Sequence, residues 1–282
     1  MNKEVFYLLF RNKRFVIGFS ILTFELLLAL FGAYIYPVDP FKPAGPPSTP
    51  PSMEYLLGTD RFGRDILAEV MVGIRNSLYV GALTGIFSVL IGLTIGMIAG
   101  IKGGLIDESL MAFTNVVITI PNVLLAIIIA TYLGLENSGL TLVAAIISLT
   151  AWPSFARAIR AQFLSLRERE FVYFSRMSGY GDLKIAFFDL LPYVTTYTLV
   201  SFVNFMNIGI NAEVGLSILG LTPLKIMTLG KMLYFAAVTQ AYFLGEWWVF
   251  IPPGILLVAL STSLLFIATG IEQVFNPRLR EM

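Results

Sequence analysis

Five polar side chains recur through an otherwise apolar run near the middle of the second half of the chain. They are Tyr197, Ser201, Asn204, Asn207 and Asn211, separated by 4, 3, 3 and 4 residues. On a helix those steps return to one face. An amide or hydroxyl left unpaired in hydrocarbon costs roughly 2–7 kcal/mol, so this face must meet water, a solute or a polar neighbour. Two chemistries satisfy it: the lining of a solute passage, or hydrogen bonding between helices. Glu25 is the one acidic residue deep inside another apolar run. With no second carboxylate at its depth it makes a poor proton relay, and a neutral, hydrogen-bonded packing role suits it better. Histidine and cysteine are both absent, which excludes His/Cys metal sites, Ser–His and Cys–His catalysis and disulfides. Asp60 and Asp65 read as helix caps rather than a calcium loop. Gly230-Lys231 is followed by Met232 and has no glycine five positions upstream, so it is not a phosphate loop. No catalytic residue, metal site or bound cofactor is expected in this chain.

The elements that position these residues follow from composition. Of the 282 residues, 57% are hydrophobic and 13% charged, with a mean hydropathy of +0.81. Soluble domains carry about 25% charged residues, so the chain reads as an all-α polytopic membrane protein. Six stretches approach the roughly 20 apolar residues that span a bilayer: Phe15–Tyr36, Leu78–Ile101, Leu110–Leu133, Leu140–Ala156, Leu190–Ala212 and Trp247–Ile271. The first is too long for a signal peptide and reads as a retained anchor. With both termini cytoplasmic, 13 of the 19 lysines and arginines fall on the inner side, as the positive-inside bias requires. Trp247, Trp248, Tyr34 and Tyr36 then lie at the outer interface. Met227–Phe243 is interrupted by Gly230 and Lys231 and reads as a short helix or re-entrant cap on the outer face.

Three regions follow: residues 1–36, the cytoplasmic N-terminus and first span; residues 37–77, an external linker and interfacial helix; and residues 78–282, the core of spans 2 to 6. Seven of the 14 prolines fall in Pro37–Pro51, predicting extended chain. The apolar spacing of Ile66, Leu67, Val70, Met71 and Ile74 predicts an amphipathic helix at the outer interface that turns into span 2. Span 2 carries Gly81, Gly85, Gly92, Gly96 and Gly100 on one face, which predicts close packing against another helix. Pro121, Pro153 and Pro252–Pro253 predict interrupted spans 3, 4 and 6, either as moving parts or as static kinks.

The longest inner segment, 157–189, alternates apolar and charged residues at helical spacing. Gly179 and Gly181 divide it into two short helices joined to span 5. It has the shape of a docking element; the plainer reading is a basic loop holding anionic lipid. Here the sequence resembles the permease subunits of binding-protein-dependent ABC importers, specifically the C-type subunit of dipeptide and oligopeptide systems. That family's inner loop carries Glu-Ala-Ala, three residues, a glycine and, further on, Leu-Pro. Gly179 and Leu191-Pro192 match, after a Leu-x-x-Arg-Glu-like run at Leu166–Glu170, while Tyr173-Phe174-Ser175 replaces Glu-Ala-Ala and Asp189 replaces an aliphatic residue or histidine. Further similarities run in order: Leu57–Asp60 with Gly63-Arg-Asp65, Gly73–Leu78, Ala99–Gly104 with Asp107 and Met111, Pro121 with Leu124–Ala126, Glu213 with Leu216–Leu221, Pro252–Gly254 and Asn276–Arg280. Thr269, Glu272 and Gln273 depart from it.

The resemblance implies six spans with a five-helix core and a cytoplasmic coupling helix. It implies a heterodimer with a homologous second permease, two ATPase subunits holding ATP and magnesium, an extracytoplasmic solute-binding protein, and a place in the plasma or inner membrane. ATPase contact would involve Arg167, Glu168, Glu170, Tyr173, Arg176, Gly179, Gly181 and Asp182, and span 5 would line the route. The expected solutes are peptides, with oligosaccharides among those of relatives. An ion-coupled secondary transporter is the alternative; an intramembrane protease would need a Ser–Lys dyad, and no lysine falls within a span.

Overall fold

The computed structural model describes residues 3–134 and 138–275. The tail motif Asn276–Arg280, with Arg278 and Arg280, lies outside the described residues. Their order is α1 (Lys3–Arg11), α2 (Lys13–Ile35), α3 (Ile66–Lys102), α4 (Gly104–Thr119), α5 (Asn122–Leu133), α6 (Leu140–Ala151), α7 (Pro153–Arg167), α8 (Glu170–Met177), α9 (Asp182–Lys184), a π-helical segment (Ile185–Leu190), α10 (Leu191–Ile218), α11 (Leu229–Val238) and α12 (Trp247–Phe275). Four continuous helical runs are long and apolar enough to cross a bilayer: α2, α3, residues 182–218 and α12. Two bent pairs, α4 with α5 and α6 with α7, bring the total to six if each is one span.

Prolines set both bends. Pro121 caps α5 and the axis turns by 86° between α4 and α5; Pro153 opens α7 and the axis turns by 53°. At these positions proline's missing N–H leaves a helix start, where no intrahelical acceptor is needed. The pair Pro252–Pro253 behaves differently, because α12 runs through it unbroken. Both prolines fall in the second turn of that helix, and the interruption predicted for span 6 is not there.

A second difference concerns α3. The interfacial helix and span 2 form one helix from Ile66 to Lys102, 37 residues long and about 55 Å at the usual rise. No turn separates them: the one glycine between Ile66 and Leu78, Gly73, sits on the backbone at Thr228–Leu229 and serves packing. Asp65 caps the helix by accepting from the Ala68 N–H at 2.9 Å, and Gly103 ends it at φ 66°.

The glycine stripe of α3 lies against two partners. A Cβ on Gly81 or Gly85 would fall within 3.0 Å of Ile210 or Phe202 of α10. A Cβ on Gly92, Gly96 or Gly100 would meet Phe155, the Ala156 carbonyl with Ile159, or Phe163 of α7 at 2.5–2.9 Å. Thus α3 is the central post, with α10 seated on one half of its stripe and α7 on the other. Helix α2 packs along α12, where Gly18 meets Ser263 and Phe266 and Gly270 meets Phe15. Helix α11, ten residues or about 15 Å long, is too short to cross and packs on α10, with Leu229, Lys231 and Met232 fully buried.

Between α2 and α3, residues 37–65 form a strap over one end of the bundle. Thr59 accepts from Trp248 Nε1 through its carbonyl at 3.1 Å. Arg64 lies over the rings of Phe62 and Phe235, 4.5 and 4.6 Å from their centres. Tyr36 at the end of α2 donates to Asp65 Oδ2 at 2.8 Å.

Candidate functional site

At the bundle end opposite the strap, α7 delivers the chain into α8, and two independent ties hold this corner. Before α8, Arg167 Nη1 donates to the Gly100 carbonyl at 3.2 Å. After α8, Lys102 Nζ donates to Asp182 Oδ2 at 3.0 Å. Both ties land on the last turn of α3. A guanidinium on the carbonyls of a helix C-terminus is electrostatically favoured. Arg167 also pairs with Glu168, whose second oxygen accepts from the Tyr173 hydroxyl at 3.2 Å.

The turn out of α8 has glycine where the backbone demands it. Gly179 has φ 81°; its N–H bonds to Arg176 O and the Tyr180 N–H to Ser175 O. This is a Schellman closure, and its positive-φ residue is inexpensive only as glycine. Gly181 is instead extended, φ −77°, and starts α9. The second short helix expected of this loop is not a separate unit. From Asp182 the chain runs through α9 and the π segment directly into α10.

Helix α8 is anchored by one side and open on the other. Val172 is fully buried beside Phe163, Ile185, Leu190 and Val194, and Phe171 stacks on Tyr193 at 5.3 Å. Tyr173, Phe174 and Met177 stand out from the surface, 50%, 67% and 84% exposed, and Leu183 of α9 is exposed as well. Glu170 and Arg176 are exposed at its first and last turns, each at the end where its charge suits the helix dipole. Grouped exposed apolar side chains of this size mark a contact surface.

The stripe on α10 is less uniform than its spacing suggests. Tyr197, Asn204 and Asn211 are exposed and Asn207 is half-buried, but Ser201 is buried. Tyr197 stacks on Phe155 with ring centres 5.7 Å apart. Asn211 Nδ2 donates to Asn207 O and Oδ1, at 2.9 and 2.6 Å, and reaches Ser261 Oγ of α12 at 3.3 Å. Asn207, Asn211 and Ser261 therefore form one polar group, while Asn204 stands apart. Asn211 also lines a mostly apolar cavity of about 430 Å³ between α5, α6 and α10, with Asn122 and Thr150 as its other polar walls. Glu25 does not have the hydrogen-bonded role expected of it: it is buried in α2, and neither carboxylate oxygen has a partner among the described residues.

Three polar groupings escaped the sequence reading. Asp107 of α4 and Arg160 of α7 form a two-bond ion pair. Glu213 Oε1 accepts from Ser217 and Thr228 at 2.6 and 2.7 Å within the α10–α11 packing. Lys102 is the third. Partners 53 and 80 residues apart leave no periodic trace; the only signals were isolated charges at the ends of apolar runs.

Comparison with known proteins settles the family. Residues 92–281 match the family model described as the binding-protein-dependent transport system inner membrane component, two-thirds of the chain. The chain belongs to this family. Residues 2–51 of the permease also match the N-terminal TM domain of oligopeptide transport permease C. The permease is similar to the dipeptide transport system permease protein DppC of Haemophilus influenzae, 28% identical over 99% of this chain and 95% of the relative. It is likewise similar to the oligopeptide transport system permease protein OppC of Bacillus subtilis, 29% identical over 96% of this chain and 87% of the relative. Membership sets the ion-coupled alternative aside and makes the permease an integral membrane protein with the C-type peptide permeases as its kin.

Proposed function

We propose that this permease is one half of the membrane channel of an ATP-driven importer of peptides, and that α8 is the surface on which a separate ATPase acts. The observation that carries the reading is the continuity at α8. An exposed apolar face (Tyr173, Phe174, Met177) is tied at both flanks to the end of α3 and leads, through the single turn at 178–181, into the continuous helical run 182–218 that bears Asn204, Asn207 and Asn211.

In this reading α8 lies on the cytoplasmic side together with both termini, and the strap lies outside. ATP and magnesium are held by two ATPase subunits, since this chain has no phosphate loop. A second, homologous permease supplies the other wall of the passage, and an extracytoplasmic solute-binding protein delivers the peptide at the strap end. Closure of the ATPases pushes α8, and the push reaches α10 through the π segment and α3 through the Arg167 and Asp182 ties. The similarity to named dipeptide and oligopeptide permeases supports peptides as the solute class. The exposed amides of α10, which can both donate to and accept from peptide groups, agree with it.

Three experiments test this. Purification from membranes should bring ATPase chains along with the permease. In the reconstituted assembly, deletion of Gly179–Asp182 should leave ATP hydrolysis running while peptide uptake falls to background; normal coupled uptake would overturn the assignment of α8. Asn204→Leu with Asn207→Leu should cut uptake at least tenfold without loss of assembly, and unchanged uptake would remove α10 from the path.

A further inference from the structure

We propose that the groove between α2, α3 and α6 is a binding site for one anionic glycerophospholipid, with the lipid phosphate seated on Arg75. The groove has a volume of about 560 Å³. Leu26, Ala29 and Leu30 of α2 form one wall, and Leu78 and Ala82 of α3 with Leu140 of α6 form the other. Its polar groups gather at one level. Arg75 is exposed and makes no hydrogen bond or ion pair among the described residues. Tyr79 OH and Thr141 Oγ1 lie 2.9 Å apart; whichever hydroxyl donates, the other keeps a proton to offer outward. Asn76 is committed to the Met227 carbonyl at 2.6 Å, so it stabilises the wall rather than a ligand.

Charge complementarity selects the occupant. Among the described residues no carboxylate lines the groove, so the groups at its mouth are a guanidinium and a hydroxyl proton, which attract an anion rather than a cation. A planar guanidinium suits the paired oxygens of a phosphate. Arg75 precedes the apolar run 78–101 by three residues, about 5 Å along the helix, which is headgroup level. The walls beyond it are hydrocarbon in character, as an acyl chain requires. A headgroup carrying its own ammonium gains less here, because that ammonium finds no partner; phosphatidylglycerol should be preferred to phosphatidylethanolamine.

The absence of cysteine makes the test direct. A bimane fluorophore on Ala82→Cys, in the full-length permease reconstituted in nanodiscs, would be quenched by lipids brominated on the acyl chain. Brominated phosphatidylglycerol should reach half-maximal quenching at a several-fold lower mole fraction than brominated phosphatidylethanolamine, and Arg75→Gln should erase the difference. Equal quenching by the two lipids would overturn the proposal. So would displacement by free glycerol phosphate, which would mark a soluble anion, or a fluorophore shielded from both lipids, which would mark a protein helix in the groove. Native mass spectrometry of the chain without the cysteine gives a second readout: one phosphatidylglycerol should be retained, and Arg75→Gln should lose it. Retention unchanged by Arg75→Gln would overturn the assignment.

Discussion

Gly179 and Gln240 occupy the same left-handed backbone region with opposite fitness for it. Each follows a helix, at φ 81° and 56°, and each is closed by the same bond pattern, since Ala241 N–H reaches Ala236 O as Tyr180 N–H reaches Ser175 O. A side chain at positive φ costs roughly 1 kcal/mol relative to glycine. A Cβ on Gly179 would meet nothing within 4 Å, so Gly179→Ala should destabilise through backbone strain alone, by about 1 kcal/mol. Gln240→Gly should stabilise by a similar amount. Thermal midpoints of the detergent-solubilised protein check both, and a shift of the same sign in the two variants would refute the account. Asp60 offers a second residue-scale test. Burial, the largest influence, raises its carboxyl above its ordinary value of 3.8 despite the N–H donors of Phe62 and Arg64 and the charge of Arg64. A carboxyl raised in the folded state contributes stability that is complete below the unfolded pKa and is lost as pH rises through the folded one. The strap should therefore weaken as pH climbs from below 3.8, as read by fluorescence of Trp248, which is bonded to Thr59. Asp60→Asn should flatten that slope, because an amide oxygen can still accept both N–H groups.

At the scale of elements, close approach of backbones decides the packing, since burial of apolar surface does not drive helices together in lipid. A methyl on Gly96 would lie 2.5 Å from the Ala156 carbonyl and 2.8 Å from Ile159 Cβ; backbone cannot step aside as a side chain can. Gly96→Ala should cost about 1–3 kcal/mol through overpacking. Gly254→Ala, where nothing lies within 4 Å of the added methyl, should be neutral or better. Equal losses in the two, measured as midpoint shifts, would mean that the stripe is not a contact. The stripe was legible because five glycines in register are a local, periodic signal. The division of α3 was misread for the opposite reason: an amphipathic stretch followed by an apolar one looks like two elements, yet no residue between Ile66 and Leu78 opposes helix except Gly73, and Gly73 is held by packing. Proline interruptions were legible at Pro121 and Pro153, each of which coincides with a helix start. They were not at Pro252–Pro253, where the residues before and after extend one helix. The stripe of α10 was right in phase, and only tertiary packing could reveal that Ser201 is turned into the core.

For the molecule as a whole, the arrangement that matters is a post with a lever at one end and a strap at the other. Helix α3 runs about 55 Å, receives Arg167 and Asp182 on its last turn and is tied to Tyr36 through its N-cap Asp65. A displacement of α8 is therefore delivered to two long helices at once, to α10 by chain continuity and to α3 by side-chain ties. The Lys102–Asp182 pair is half exposed, 46% and 37%, and exposed pairs contribute at most about 1 kcal/mol to stability. Its role should thus be separable from folding. Lys102→Ala and Asp182→Ala should each leave the thermal midpoint nearly unchanged while lowering peptide taken up per ATP hydrolysed by several-fold. The double variant should be no worse than either single one, because the two residues act as one tie. If the ratio of uptake to hydrolysis is unaltered in all three, force reaches the channel through α10 alone, and α3 is a passive scaffold rather than a second arm of the lever.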